Sequence, residues 1–513
     1  MPEPTFHPSF LALPLGLSAD AALSTATELG AAWAEFRVGR TGYIYVSTHD
    51  RETESELEGS HIALGVRVLV DSVWGFASDP EISPEGARRA ARAAVALAKV
   101  AAPLTTRRVE LGPLGTAREV SWIAPCDIDP FQVPRTEISD LLLGYSDTVL
   151  RNGAEHVDSS FWSRMETKYY ADTHGNRITQ QRLHSHTELT GTRPDSDGCP
   201  VSLRTNSQPV GRGWEWMVAG HYDWTREIEN LGPLLVQKSA APLVLPGRYD
   251  LVIDPTQLWL TIHESIGHAT ELDRILGFEA NYAGTTFVRR EDLGMLRYGD
   301  RKLNVTADRN MEHGLATVAF DDEGVPTRNF PLITDGILVG LQADRGSAQM
   351  VGLETTGCAY AEDANYVPLQ RMPNISMQAD PNGRSREEIV SDVEDGFLVI
   401  GDDSWSIDMQ RKNFQFTAQQ FWRIRNGQLD GMVRDAGYQS TTPQFWGSLA
   451  EVGGPQTWLL HGAINCGKGQ PGQSAPVGHG APVARFNQIN VISTTDADNS
   501  GEVIPTTVHE GVN

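Results

Sequence analysis

Cysteine is scarce in this sequence, since 513 residues contain only four: Cys126, Cys199, Cys358 and Cys466. So few cysteines exclude a disulfide framework and favour a reducing compartment. No stretch offers the roughly eighteen uninterrupted apolar residues of a membrane-spanning helix, and the first residues lack the basic and apolar regions of a signal peptide. We therefore expect a soluble, cytoplasmic protein that does not bind membranes.

Positive charge is also in short supply. The chain has 42 Lys and Arg against 66 Asp and Glu, which gives a net charge of −24 at pH 7. Proteins that bind nucleic acid need clustered Lys and Arg to contact phosphates, so this class is excluded. Single hydrophobic cores rarely grow beyond about 250 to 300 residues, and the length therefore predicts two domains.

Helical and alternating apolar patterns follow one another along the chain and predict an α+β fold. We expect an N-terminal domain of helices and antiparallel strands over residues 1–240, and a mostly β C-terminal domain over residues 247–513 that carries the motif helix described below. Two local predictions are specific. The acidic run 50–58 is interpreted as a solvated turn, and the helix over 224–240 as broken at its internal Gly-Pro pair.

One stretch carries the clearest chemistry: His263-Glu264-Ser265-Ile266-Gly267-His268. Asp254 and Pro255 precede it as an N-cap and a first-turn proline, and apolar residues follow at helical spacing, so the motif is expected on a helix. Two His four residues apart, with a Glu after the first, form the H-E-x-x-H pattern of metalloproteases. A role as metal ligands is therefore a hypothesis for His263 and His268.

The second histidine comes one residue later than in that pattern. At about 3.6 residues per turn, five residues place the two rings about 140° apart on an ideal helix, too far to share an ion. Either a π-bulge absorbs the extra residue, or the helix ends at Gly267 and His268 turns back. We assign to Gly267 the backbone freedom for this distortion.

A zinc site in a hydrolase usually has three protein ligands and one open position. Two residues are candidates for the third ligand. Glu271 lies one helical turn after His268 and would be either a ligand or an acceptor that orients an imidazole. Cys466 lies in a glycine-rich loop, where Lys468 would favour a thiolate.

Four segments together resemble the TldD/PmbA family of zinc metallopeptidases. They are I262-H-E-S-I-G-H-A-T-E-L-D273, R371-M-P-N-I-S-M377, E394-D-G-F-L-V-I-G401 and C466-G-K-G-Q-P-G-Q-S-A-P-V-G-H-G480. The resemblance spans the C-terminal half in the family's order. It implies Zn²⁺ bound by His263, His268 and Cys466, with Glu264 as the catalytic base, as in the family's catalytic, TldD-type subunit.

The resemblance also implies a substrate and a partner. Substrates would be short or unfolded peptides bound in extended conformation, and the chain would form a homodimer or a heterodimer with a metal-free TldE/PmbA-type subunit. Two other functions stay open. The chain would be a non-catalytic scaffold subunit, or a zinc hydrolase of a non-peptide amide.

Two further features have alternative interpretations. His184, His186 and Glu188 share one face of a predicted strand, which is interpreted as a solvated face rather than a metal site, because side chains along a strand project in parallel. The glycine-containing stretch Arg345–Tyr366 is either a gate over the active site or an ordinary surface loop.

Overall fold

The computed structural model describes residues 5–495, and the N-terminal half of the chain is built on one seven-stranded sheet. Its strands are β1 (Trp33–His49), β2 (Glu52–Val70), β3 (Val73–Asp79), β4 (Glu119–Ile123), β5 (His156–Asp172), β6 (Arg177–Pro194) and β7 (Pro200–Arg204). The order is β3-β2-β1-β5-β6-β4, and β7 pairs with β6. Only the β4–β6 pair of this sheet is parallel.

Six helices belong to this half: α1 (Pro8–Leu11), α2 (Leu15–Glu28), α3 (Pro84–Ala101), α4 (Arg135–Arg151), α5 (Glu215–Val218) and α6 (Trp224–Ser239). α2 and α3 share one apolar core with β1 and β2, and α4 and α6 share another with β1, β5 and β6. No helix in the described part of the chain is long and apolar enough to cross a membrane.

The C-terminal half is richer in strands. Its helices are α7 (Pro255–Ile262), α8 (Leu272–Ile275), α9 (Arg345–Val351), α10 (Arg386–Ser391) and α11 (Thr442–Gly447). Its strands are β8 (Gly247–Ile253), β9 (Val305–Asp308), β10 (Asn329–Thr334), β11 (Ile337–Leu338), β12 (Ala359–Tyr360), β13 (Leu369–Gln370), β14 (Asn374–Met377), β15 (Asp395–Ile407), β16 (Asn413–Arg425), β17 (Gln428–Val433), β18 (Ala436–Thr441), β19 (Leu449–Val452), β20 (Leu459–Lys468), β21 (Gln473–Ala481) and β22 (Ala484–Ser493).

Five of these strands close into a ring. The order is β15-β8-β22-β18-β16, and β16 pairs again with β15. β17 and β19 extend the ring at its side, through β16 and β22. A separate sheet has the order β11-β10-β9-β14, while β12–β13 and β20–β21 are two-stranded ribbons. The predicted class, a mixed N-terminal half before a β-rich C-terminal half, is confirmed.

α7 lies inside the core of the C-terminal half. It begins as predicted, because the Asp254 side chain accepts a hydrogen bond from Thr256 N at 3.1 Å and Pro255 occupies the first turn. All eight residues of the helix are buried. Leu258 and Ile262 belong to the same apolar cluster as the ring strands. Packing on every side makes α7 a rigid base for the residues that follow it.

Two local predictions were wrong. Residues 52–58 are not a turn but the first part of β2, paired with β1 from Glu52↔His49 onwards. The ladder to β1 satisfies their backbone, and most of their acidic side chains stay exposed. α6 is not broken at Pro233, which lies inside it. Burial of Ile228, Leu231 and Leu235 offsets the hydrogen bond that the proline removes.

The two halves meet through buried charges. The turn Asp321-Asp322-Glu323 leaves the C-terminal half and inserts against the N-terminal sheet. Arg67 Nη2 lies 2.8 Å from Glu323 Oε1, and Lys168 Nζ lies 2.8 Å from Asp322 Oδ2. Unpaired charges are costly to bury, so these pairs define how the halves dock.

Candidate metal centre

The backbone changes its hydrogen bonding at the His-Glu motif itself. The α-helix ends at Ile262, residues His263–Gly267 form a π-helix, and His268–Thr270 form a 3₁₀ turn. His268 N donates to the His263 carbonyl, five residues back. The first of the two predicted distortions, the π-bulge, is therefore confirmed.

Gly267 has a different role from the one expected. Its φ is −53° and its ψ −65°, values that any residue in a helix adopts. A Cβ at this position would lie 2.4 Å from Met372 Sδ. The site thus needs glycine for its small size, because Met372 packs directly on the π-turn.

The three residues predicted as ligands come together. One ligand atom from each of His263, His268 and Cys466 lies within 4.8 Å of the others, and all three side chains are buried. Cys466 Sγ is 3.6 Å from His268 Nε2. Two donors bound tetrahedrally to one zinc ion are about 3.3 to 3.7 Å apart, so this spacing fits. Cys466 follows a register shift in the β20–β21 ribbon, an irregularity that re-aims side chains.

The protonation of these groups also suits a metal. Burial lowers the pKa of His263 and of His268 to about 4, so both rings are neutral near pH 7. Burial alone would raise the pKa of the Cys466 thiol, but His268 and Arg371 outweigh it and lower that pKa. Neutral imidazoles and a thiolate are the forms that bind zinc.

Each imidazole is oriented by a partner behind it. His479 Nδ1 lies 3.2 Å from the Ile375 carbonyl, which can only accept, so this nitrogen carries the proton. Neutral His479 therefore accepts at Nε2 from His263 Nδ1, at 2.7 Å. The Nε2 lone pair of His263 is left free.

Glu271 has the same function for the second histidine. Its Oε2 accepts a hydrogen bond from His268 Nδ1 at 3.0 Å, so the unprotonated Nε2 of His268 faces Cys466. Arg274 Nη2 lies 3.3 Å from the same Nδ1, but a guanidinium only donates, so the shorter carboxylate contact decides the tautomer. Of the two roles predicted for Glu271, the geometry matches the orienting acceptor.

Lys468 does not act on the thiolate as the sequence suggested. Its ammonium is fully buried and donates to Glu271 Oε1 at 3.1 Å, to Asp273 Oδ1 at 2.8 Å and to the Gln370 carbonyl at 2.9 Å. Lys468 therefore compensates the negative charge of Glu271. The cation that favours the Cys466 thiolate is Arg371.

Glu264 follows the first histidine and lines the same cavity. Its Oε2 accepts a hydrogen bond from Arg411 Nη1, and Arg411 comes from the turn between β15 and β16. Sequence reasoning missed both Arg411 and His479. His479 lies within the C466–G480 segment, which offered a signal, whereas no local pattern points to Arg411.

The centre opens into a cavity of about 490 Å³, a volume typical of ligand sites. The N-terminal half supplies part of the cavity wall, which includes His186, Glu188 and Arg204. Arg204 pairs with Glu188 at 3.1 Å and with Asp402 at 2.8 Å. The face predicted to be solvated is therefore a cavity wall at His186 and Glu188, and buried at His184.

The Arg345–Tyr366 stretch contains α9 and β12 and is largely buried. Arg37 and Arg164, on the N-terminal sheet, donate to the Tyr366 and Glu362 carbonyls. The residues that line the cavity come from other segments. The stretch is accordingly neither a gate over this cavity nor an ordinary surface loop, but part of the contact between the halves.

Comparison with protein families identifies the class to which this site belongs. Residues 246–493 match the PmbA/TldA metallopeptidase C-terminal domain, and residues 34–98 match domain 1 of the same family. The chain belongs to the PmbA/TldD family of metallopeptidases. The resemblance expected from the four motifs is confirmed.

Two relatives extend over most of the chain, and a third covers less than half of it. A metalloprotease of Methanocaldococcus jannaschii is 24% identical over 88% of this chain and 95% of its own length. A metalloprotease of Synechocystis is 27% identical over 87% of this chain and 91% of its own length. A zinc metalloprotease TldD homolog of Saccharolobus solfataricus is 28% identical over 43% of this chain and 47% of its own length.

Solved structures share the fold at lower identity. TldE from Thermococcus kodakarensis aligns with a TM-score of 0.70 at 16% identity, over 93% of this chain and 100% of that one. A Thermotoga maritima protein described as a putative modulator of a DNA gyrase aligns with a TM-score of 0.72 at 14% identity. The alignment covers 93% of this chain and 99% of that protein. Both therefore support the architecture alone.

Proposed function

We propose that this chain is a zinc-dependent peptidase that cleaves short or unfolded peptides. The observation that carries the proposal is the convergence of two neutral imidazoles and a depressed-pKa thiol in one buried cavity, with Glu264 beside them. Buried groups with shifted pKa values in a cavity are typical of catalytic sites.

His263, His268 and Cys466 would hold the zinc ion. When bound, Zn²⁺ lowers the pKa of water towards about 7 and polarises a carbonyl group. Glu264 would take one proton from the attacking water as the new C–O bond forms. It would then pass that proton to the amide nitrogen as the C–N bond breaks, leaving a carboxylate and an amine.

The lining of the cavity supports a peptide as substrate. Seven consecutive residues, 461–467, line it, so the backbone of β20 faces the space rather than one side-chain face alone. Among the described strands β20 pairs only with β21, which leaves its other edge free. An extended peptide can add to such an edge through main-chain hydrogen bonds, and this binding tolerates many sequences.

We extend the proposal to a partner subunit. The fold is shared with TldE from Thermococcus kodakarensis. With the family membership, this likeness points to a TldE-type partner, and we propose a dimer, either of two copies of this chain or of this chain with a metal-free TldE/PmbA-type subunit.

Two alternative functions, a scaffold subunit and a hydrolase of non-peptide amides, agree less well with these residues. A scaffold subunit has no need of the three ligand groups and Glu264 together, so their presence favours catalysis. A hydrolase of a non-peptide amide would use the same centre, but the free β20 edge favours a peptide.

The test combines metal analysis with peptide cleavage. We expect about one zinc per reconstituted chain and turnover of unstructured peptides. Glu264→Gln should keep the zinc and lower kcat by about 10²- to 10⁴-fold, because only the proton transfer is lost. His263→Ala, as a control, should lose the metal.

Each result separates the alternatives. A Glu264→Gln variant with the parent's rate would remove Glu264 as the base. A parent without zinc after reconstitution would move the chain to the scaffold function. Cleavage of small amides without cleavage of peptides would favour the non-peptide hydrolase.

A further inference from the structure

Arg411 lies on the turn between β15 and β16, with a φ of 58°. Residues other than glycine seldom adopt this left-handed conformation, and such exceptions cluster at functional sites. Two neighbouring segments hold it in place. Thr285 N donates to the Met409 carbonyl at 2.7 Å, and Thr442 Oγ1 donates to the Arg411 carbonyl at 2.8 Å. The fold thus maintains an unfavourable backbone that keeps this side chain at the cavity.

The Arg411 guanidinium has more donors than partners. Nη1 donates to the Glu264 carboxylate, and Nη2 donates to the Ala283 carbonyl at 3.1 Å. Nε is buried and has no hydrogen-bond partner among the described residues. A guanidinium carries five N–H groups, so three remain after these two bonds. Because the side chain lines the cavity, an oxygen of a bound substrate can reach it.

The other arginine that lines the cavity has fewer donors left and already neutralises two carboxylates. Both terminal nitrogens of Arg204 bind carboxylates, those of Glu188 and Asp402. Within the described residues, Arg204 forms no hydrogen bond or ion pair with Glu264, whereas Arg411 contacts Glu264, the neighbour of His263 in sequence. Of the two arginines that line the cavity, Arg411 is therefore the one with more donors left, and it lies beside Glu264.

We infer that Arg411 is a catalytic residue that donates a hydrogen bond to the carbonyl oxygen of the scissile peptide while it holds Glu264. This inference rests on the peptidase function proposed above. As the water oxygen bonds to the carbonyl carbon, the C=O electron pair moves to the oxygen, where negative charge develops. The pair returns when the C–N bond breaks and the nitrogen leaves with the proton from Glu264.

A guanidinium suits this task better than a neutral donor. In a buried cavity its charge stabilises an oxyanion far more than the uncharged carbonyl of the bound substrate. Arg411 should consequently raise kcat more than it tightens substrate binding. The planar fork also lets one side chain contact a carboxylate and a second oxygen together, which the single amine of lysine does less well.

The test measures steady-state cleavage of one peptide by the zinc-loaded parent and by Arg411→Ala and Arg411→Lys. We expect kcat to fall by about 10²- to 10³-fold in Arg411→Ala, with KM changed less than about threefold, and by less in Arg411→Lys. Zinc content should match the parent. Added guanidinium chloride at low millimolar concentration should restore part of the Arg411→Ala rate.

Two controls separate catalysis from structure. Arg434 also pairs with carboxylates and donates to a carbonyl, that of Ala241, but does not line the cavity. Arg434→Ala should keep the parent's kcat. Glu264→Gln should gain nothing from guanidinium, because its missing group is a base.

The outcomes are distinct for the two proposals. If the parent cleaves peptides but Arg411→Ala raises KM at constant kcat, loses zinc or gains nothing from guanidinium, the inference is wrong and the peptidase function stands. If Arg411→Ala does not fold, an Arg411→Lys variant with the parent's kcat also overturns it. A zinc-loaded parent that cleaves no peptide removes both.

Discussion

At the residue scale, each of the two proposed histidine ligands is held by a side chain that would not touch the metal. His479 accepts from His263, while Glu271 accepts from His268 and is itself held by Lys468 at 3.1 Å. Such partners fix the ring orientation and the tautomer of a ligand. Under the zinc proposal, the metal affinity of the centre would therefore depend on residues far apart in sequence.

Replacing Glu271 with Gln should weaken zinc binding by about 10- to 100-fold without removing the site, because the amide orients His268 less well. Cys466→Ser should lose most of the zinc under the same conditions, because a thiolate ligand is gone. Competition with a chromogenic chelator measures both affinities.

Glu279 offers a matched control, as a buried glutamate that accepts from Gly469 N and lines a different cavity. Glu279→Gln should keep the parent's zinc affinity. If Glu271→Gln loses the metal while Cys466→Ser keeps it, Glu271 is the third ligand and our assignment is reversed.

Much of the centre could be predicted at this scale. The types and spacing of His263, Glu264 and His268 predict a metal-binding motif, the family resemblance adds Cys466, and the structure brings the three proposed ligands together. The orienting role of Glu271 was one of two alternatives, since spacing alone does not say which way a carboxylate points. Arg411 was unpredictable, because only the β15–β16 turn brings it to Glu264.

At the element scale, the π-turn is what brings His263 and His268 of H-E-x-x-x-H close enough to share the proposed metal ion. Asp254 and Pro255 predicted the start of α7 correctly, because an N-cap and a first-turn proline are local signals. The tight packing of Met372 on Gly267 was not predictable, since the two residues are distant in sequence.

Gly267→Ala should destabilise the protein by about 1–3 kcal/mol and weaken zinc binding, because the new methyl group overlaps Met372 Sδ. Adding Met372→Ala should recover part of the zinc affinity. Denaturant unfolding and the chelator assay report the two effects.

Gly144 provides the comparison, since it lies in α4 and a Cβ there would meet nothing within 4 Å. Gly144→Ala should leave stability unchanged or raise it by up to about 1 kcal/mol. A Gly267→Ala variant as stable as the parent would show that Met372 yields without cost.

At the scale of the whole molecule, buried charges decide how the two halves fit together. Glu166 on β5 is buried against Arg182 at 2.9 Å and accepts from the Tyr360 hydroxyl at 3.0 Å. Burial alone would raise the pKa of Glu166, but Arg182, Arg164 and Lys168 outweigh it and hold the pKa well below its ordinary 4.5.

A lowered carboxylate pKa stabilises the fold above the ordinary value, and this contribution is lost as the pH falls below 4.5 towards the folded-state pKa. Glu166→Gln should therefore cost about 3–5 kcal/mol at pH 7, since it leaves buried cations unpaired. The difference from the parent should shrink as the pH falls below 4.5. Urea unfolding across this range measures it.

Glu354, an exposed partner of Arg328, serves as the control. Glu354→Gln should unfold like the parent at every pH. A Glu166→Gln variant whose deficit stays constant down to the lowest pH would mean that Glu166 titrates normally and that its loss acts through packing alone.

The division into domains at residues 241–246 stays a prediction at this scale. The family match that begins at residue 246 supports it as a proposal. The helix across 224–240 and the strand across 52–58 show where local patterns misled. In the helix, the buried apolar face outweighed the internal proline. In the strand, pairing with β1 outweighed the run of acidic residues.

The sequence by itself determined the mixed fold class, the start of the motif helix and the family, because these depend on local spacing and on motifs that can be read in order. Only the tertiary structure decided the orientation of the imidazoles, the contact of Glu271 with His268, the contact of Arg411 with Glu264 and the cavity wall from the N-terminal half. These depend on contacts between residues far apart in the chain, which packing selects and local pattern does not encode.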